Sequence, residues 1–207
     1  YLIHARHKPI KTGVTIISVY ESKVGYLRTF MVDIGIIDKR EGKKWPYIRQ
    51  LASYCAGKFY KLVADNWFLS VKFLRWGLEN KLYVCGTCKK DVGQTGFPAD
   101  IMTDGKKHAR EEILWRWAAL QLPAIRWQDT GSVHFLANFI DPRVEVTMKQ
   151  RIPHPGQRST REDVTAPLVA DVYNKCMAGC DQSDQLSSSL TVHRKTRKWW
   201  HPLGIFW

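Results

Sequence analysis

Between residues 14 and 86 the apolar pattern switches back and forth between period two and the longer helical period, and this alternation restricts the fold more than any other feature. Val14, Ile16, Ile17 and Val19 make a β-rich run, residues 21–25 are a polar turn, and residues 26–32 resume with Leu27, Phe30 and Met31. That is the pattern of a hairpin. Ile48, Leu51 and Cys55 then fall on one face of a predicted helix over residues 45–57, with Gly57 as its stop. A short β-type run over residues 59–64 ends at Asp65 and Asn66. Residues 70–80 set Val71, Leu74 and Leu78 on a helical face, and residues 81–86 return to strand. Strand, strand, helix, strand, helix, strand is an α/β order, in which helices cover the faces of a sheet.

Beyond this the pattern changes. Residues 89–110 are rich in Lys, Asp and Gly without an apolar period and read as a loop. Ile113, Trp115 and Trp117, then Ile125 and Trp127, then Val133, Phe135 and Ala137 alternate with polar or small residues, which predicts a β-meander; residues 111–122 could alternatively form a helix. Residues 151–165 read as a basic linker. After Pro167 a helical segment is expected to break or bend at Gly179. The expected organisation is a first core segment over residues 1–87, a mostly β insertion over 88–165, and a last helix with a basic, Trp-rich end over 166–207.

Lys and Arg number 32 against 19 Asp and Glu, a net charge of +13 that points to a polyanionic partner. With 44% apolar residues and nine Trp the charge belongs to a folded body, not a disordered tail. No apolar run is long enough to span a bilayer, and the basic start shows no signal peptide, so no membrane is expected. Five Cys, an odd count, fit a reducing compartment, cytosol or nucleus. Opening on Tyr1 and closing on Trp207, the sequence looks cut at both ends.

Asp65 directly follows a strand, where ligands and metals gather in open α/β sheets; it could equally cap the helix beginning near Ser70. Asp181 and Asp184, three apart, can share a divalent cation from one helix face, or Asp181 can cap a helix after Gly179 with Asp184 as its box partner. Cys85 with Cys88, and Cys176 with Cys180, have zinc-like spacing, but no His completes either pair, so buried apolar roles are expected. Arg194, Lys195, Arg197 and Lys198 ahead of Trp199 and Trp200 can neutralise phosphates.

Five blocks occur in a telling order: Asp65-Asn66-Trp67-Phe68-x-Ser70; Gly86-Thr87 ahead of Gly96-Phe97-Pro98; Trp127-x-Asp129; residues 173–185 from Tyr173 through Gly179 and Asp181 to Asp184 and Gln185; and Arg194 to Trp200. Lys8-Pro9-Ile10 with Gly13, and Ser22-x-x-Gly25-Tyr26, accompany them. In these blocks the chain resembles piggyBac-type transposases over essentially its whole length.

The resemblance implies an RNase H-like mixed sheet with helices, interrupted by the insertion and lacking its first strand. It implies DNA cleavage and strand transfer with Mg²⁺ held by acids, here Asp65 and Asp181 with Asp184 in support, acting in the nucleus on double-stranded DNA, the parent being a homodimer. The family's first acid falls upstream of Tyr1, so this chain alone is expected to be inactive; Glu21 aligns with a turn and not with the metal site. Leu69, Ala178 and Cys180 depart from the family pattern. Such drift suits an alternative, a domesticated DNA-binding protein that no longer cleaves.

Overall fold

The computed structural model describes residues 3–4, 12–13, 15–33, 44–102, 108–152 and 160–190. The chain divides into two compact bodies, Ala52–Met177 and the pair of segments Tyr1–Leu51 and Ala178–Trp207.

In the second of these, β1 (Ile3–His4) pairs with β2 (Thr12–Gly13), and the expected hairpin forms from β3 (Ile16–Tyr20) and β4 (Leu27–Val32), antiparallel with Ile16 opposite Val32. Glu21 sits in its turn. Its carboxylate accepts the Val24 amide at 2.9 Å, which holds the carboxyl below its ordinary value, so its role is local. Helix α1 (Trp45–Ser53) begins where expected and buries Tyr47, Ile48 and Leu51, while the Tyr47 hydroxyl donates to Asp33 at 2.6 Å.

The body Ala52–Met177 is built on a five-stranded sheet. Strand β5 (Lys61–Ala64) runs parallel to β6 (Tyr83–Thr87) across helix α2 (Val71–Glu79), and β6 then pairs antiparallel with β9 (Ser132–Ala137). Strands β8 (Leu122–Gln128) and β7 (Ile113–Ala119) complete the order β5-β6-β9-β8-β7. The meander is therefore real, and a helix over residues 111–122 is excluded. Its place differs from expectation: it is hydrogen-bonded into the same sheet as β5 and β6, so three of the five strands come from residues assigned to an insertion. Outside this sheet, β10 (Glu145–Ile152) and β11 (Thr160–Pro167) form a hairpin where a linker was expected, and β11 leads directly into α5 (Leu168–Leu190).

Each face of the sheet has its own cover. Cys85, Ile125, Trp127, Phe135 and Ala137 share one face with Val164 and Ala166 of β11 and with Val169 and Ala170 at the start of α5. On the opposite face lie Val84, Ala124 and Leu136, packed by α2. The buried residues of α2 are Phe73, Leu74 and Gly77, not the expected Val71–Leu74–Leu78 stripe; Leu78 is exposed. Gly77 brings the helix backbone so close that a Cβ there would lie 3.0 Å from the Leu82 carbonyl. Asn138 fastens these elements: its side-chain oxygen accepts the Val84 amide at 2.7 Å and its amide donates to the carbonyls of Leu74 and Leu82, each at 3.1 Å. A fully partnered buried amide holds helix and strand in one register.

The expected loop over residues 89–110 is also corrected in part. It contains α3 (Val92–Thr95) and α4 (Ala99–Met102), four residues each, too short to show a helical period in sequence. Phe97, Ile101 and Met102 are buried, and Phe97 meets the His134 ring edge-on at 5.1 Å.

Candidate functional site

Asp65 stands just beyond the last residue of β5, where the parallel pair ends. Parallel strands leave their C-terminal ends open, because each chain must leave the sheet there to enter a crossover helix. Two features hold the acid in place. The β5–β6 ladder runs to Ala64 opposite Gly86, and the chain then turns with the Phe68 amide donating to the Asp65 carbonyl at 3.0 Å. Two residues later Ser70 caps α2 by accepting the Phe73 amide at 3.3 Å. The cap is thus Ser70, and the capping reading of Asp65 falls. Its own carboxylate accepts the neighbouring Asn66 amide and remains exposed.

Gly86 explains how the two strands come so close at this point. A Cβ there would sit 1.8 Å from the Ala64 carbonyl oxygen, so no other residue fits opposite Ala64 without separating the strands. Next to it, the Thr87 hydroxyl lies 3.4 Å from an Asp65 carboxylate oxygen and 3.4 Å from the Tyr173 hydroxyl on α5. These contacts are long, and they are weak as hydrogen bonds. They nevertheless place side chains from three of the quoted blocks at one spot. The role of Thr87 and Tyr173 beside the acid was not read from sequence, although both lie inside the blocks.

Asp181 and Asp184 lie on α5, both exposed and three residues apart on one continuous helix. The helix does not break at Gly179, and Asp181 sits well inside it, which removes the capping reading. Gly179 is buried for another reason. A Cβ there would lie 2.8 Å from the Glu21 carbonyl oxygen, and one on Gly25 would lie 3.0 Å from the Gly179 carbonyl oxygen. Gly25 itself has φ +69, a left-handed conformation that favours glycine. The hairpin turn and α5 therefore touch backbone to backbone at Gly179, two residues before Asp181.

The oxygen donors fit a hard cation. Mg²⁺ keeps several waters and takes one or two carboxylates plus substrate phosphates, so exposed carboxylates suit it better than a closed cage. Among the described residues no group of three or more His, Cys, Asp or Glu is gathered that could hold a metal ion. Cys85 and Cys88 are buried, and burial pushes both thiols up to about 12, as expected of apolar packing; for the second pair the expected burial does not hold, Cys176 being half-buried and Cys180 exposed. The Trp127-x-Asp129 block is a clamp on the β10–β11 hairpin. The Trp127 indole donates to the Thr165 carbonyl at 3.1 Å, and Gln150 donates to Asp129 at 2.7 Å. Arg194, Lys195, Arg197 and Lys198 lie outside the described residues. No helix among the described residues is long and apolar enough to cross a membrane.

A family model described as Transposase IS4 matches residues 1–207. Among solved structures, the chain is similar to a piggyBac transposase, described as "Cryo-EM structure of piggyBac transposase synaptic complex with hairpin DNA". The TM-score is 0.77 at 20% identity, over 99% of this chain and 41% of that one. The likeness concerns the fold, and this chain spans about two fifths of the length of the protein it matches. Curated proteins give no match.

Proposed function

Because the chain belongs to the Transposase IS4 family, we propose that it is a fragment of the catalytic domain of a DNA-transposition protein, whose parent cuts and joins DNA strands, with Asp65 and Asp181 as acids of the metal site and Asp184 in support. The observation that carries this reading is the exposed Asp65 carboxylate at the open end of the parallel pair, beside the Thr87 hydroxyl. The solved relative is a complex with hairpin DNA, which supports a DNA substrate here.

Asp65, Asp181 and Asp184 would hold Mg²⁺. When bound, the cation activates an attacking oxygen and stabilises the leaving one in a displacement at phosphorus. The chain's own contribution is positional. The β5 ladder and the Ser70 cap orient the Asp65 carboxylate, and Thr87 bears on one of its oxygens. Asp184 stands on the same face of α5 as Asp181. Arg194, Lys195, Arg197 and Lys198 supply phosphate contacts on double-stranded DNA, and the working protein is a nuclear homodimer.

The test uses a transposition protein that contains these 207 residues. Asp65→Asn and Asp181→Asn should each lower Mg²⁺-dependent strand cleavage by roughly 10³-fold or more while DNA affinity is retained. Cleavage at the unmutated rate in either variant refutes the assignment. DNA binding without any cleavage by the unmutated protein selects the domesticated DNA-binding reading, to which the departures at Leu69, Ala178 and Cys180 belong. Replacing the four basic residues by Ala should weaken duplex binding and flatten its salt dependence, because fewer counterions are released.

A further inference from the structure

At the start of β5 and β6, a strand's length of about 13 Å from Asp65, three rings stand exposed that a folded core would bury. Tyr54 is 48% exposed, Phe59 57% and Tyr60 53%. Single exposed rings need no explanation, but three neighbours with lysines laid over them do. The Lys58 ammonium lies 5.3 Å from the centre of the Tyr54 ring and 5.7 Å from that of Tyr60, and Lys81 lies 5.8 Å from that of Phe59. Lys61, at the first position of β5, lies 5.6 Å from the half-buried Phe139 ring. Glu79 is the acidic residue nearest in sequence.

The backbone that presents these rings is held in an uncommon shape. Gly57, Phe59 and Lys81 have φ of +76, +52 and +50. A bulky residue in the left-handed region is rare and persists only where its surroundings over-determine it. Here they do. Gly57 donates to the Asn80 carbonyl at 2.7 Å, Phe59 to that of Lys81 at 2.9 Å, and Tyr83 to that of Tyr60 at 2.9 Å. Two loops are thus zipped into one rigid platform that costs strain to form and turns an apolar ring outward.

Protein-binding surfaces are depleted in lysine, so a platform of three lysines among rings fits a phosphate-bearing partner better than a protein. Rings held rigid and outward can stack on bases, and only unpaired bases offer their faces. We propose that this platform is a binding site for single-stranded nucleic acid, separate from the carboxylate end of the sheet. Lys58, Lys61 and Lys81 take the phosphates, and Phe59, Tyr60 and Tyr54 take the bases.

The experiment measures fluorescence anisotropy of a labelled single-stranded oligonucleotide and of the matching duplex against the 207-residue chain. It is run with Arg194, Lys195, Arg197 and Lys198 intact and then all replaced by Ala. Phe59→Gly is the decisive variant, because glycine accepts the left-handed φ, so the fold should be kept while the ring is lost. Phe59→Gly with Tyr60→Ala should weaken single-strand binding tenfold or more and duplex binding much less. Replacing the three lysines by Ala should lower the salt slope by about 2. Single-strand affinity should be the same in Asp65→Asn, the variant that loses cleavage under the proposed function, which separates a failure here from a failure of the catalytic assignment. Equal loss on single strand and duplex overturns the proposal, as does single-strand affinity indifferent to the ring variants. A self-associating chain that Phe59→Gly makes monomeric also overturns it, and assigns the face to a second copy.

Discussion

The body Ala52–Met177 and the body formed by Tyr1–Leu51 with Ala178–Trp207 hold their parts together by different means. In the first, a five-stranded sheet buries both faces, and the buried amide of Asn138 links α2 to β6 and β9. In the second, the hairpin turn meets α5 with backbone close to backbone, where Gly25 and Gly179 leave out the side chains that would separate them. Asp65 belongs to the first body and Asp181 to the second. One acid is therefore held by a deep core, and the other by a contact that a single methyl group disturbs.

The contrast is sharpest at Gly86. Gly86→Ala places a Cβ against the Ala64 carbonyl and should part β5 from β6, with a loss of about 4 kcal/mol or more of stability. Urea unfolding checks this, and a loss below about 1 kcal/mol would show that the two strands can slide apart freely.

A change of pH probes the same sheet. Burial, with Lys90 and Arg126 adding positive charge, pushes the His134 imidazole down from its ordinary 6.5 to about 4, against the opposing Met102 carbonyl. Above pH 6.5 both the folded and unfolded forms are neutral and stability is complete. Between 6.5 and 4 the unfolded chain binds the extra proton, so stability falls as pH falls, by up to roughly 3 kcal/mol. Below about 4 this group adds no further loss. In His134→Phe, which keeps the ring against Phe97, unfolding curves should lose this part of their pH dependence.

Asn138→Leu should cost about 2–3 kcal/mol, since it strands the buried Val84 amide without a partner. Thermal melting should record it as one cooperative shift of the sheet body.

Gly179→Ala should have the smallest effect, about 1–2 kcal/mol, because the overlap with the Glu21 carbonyl is partly offset by the roughly 1 kcal/mol that alanine gains over glycine inside a helix. Hydrogen exchange should quicken in the amides of β3 and β4 and leave β6, β8 and β9 as they were. Equal quickening in both bodies would abolish the distinction between them.

Much of the architecture was legible because it rests on local periods. The hairpin, α1, the βαβ unit around α2 and the meander each announced themselves over five or more residues, and the Asp65 position followed from the end of a β-run. Failures came where the period had no room or the contact was distant. Two four-residue helices show no stripe, and the β10–β11 hairpin was masked by its charged side chains. The buried face of α2 was misread because Gly77 packs through its backbone, which hydropathy does not register.

The alternation of strand and helix, the basic surplus and the ordered acidic and aromatic blocks were determined by sequence alone, since each depends on residue identity and spacing. What only the tertiary structure decided is which distant groups meet. Thr87 comes to Asp65 and Tyr173 to Thr87, the meander joins the β5–β6 sheet, Gly25 meets Gly179, and a platform of rings and lysines is zipped from two loops. Such contacts arise from hydrogen-bond register and backbone approach between segments far apart in the chain, and no local pattern of side chains records them.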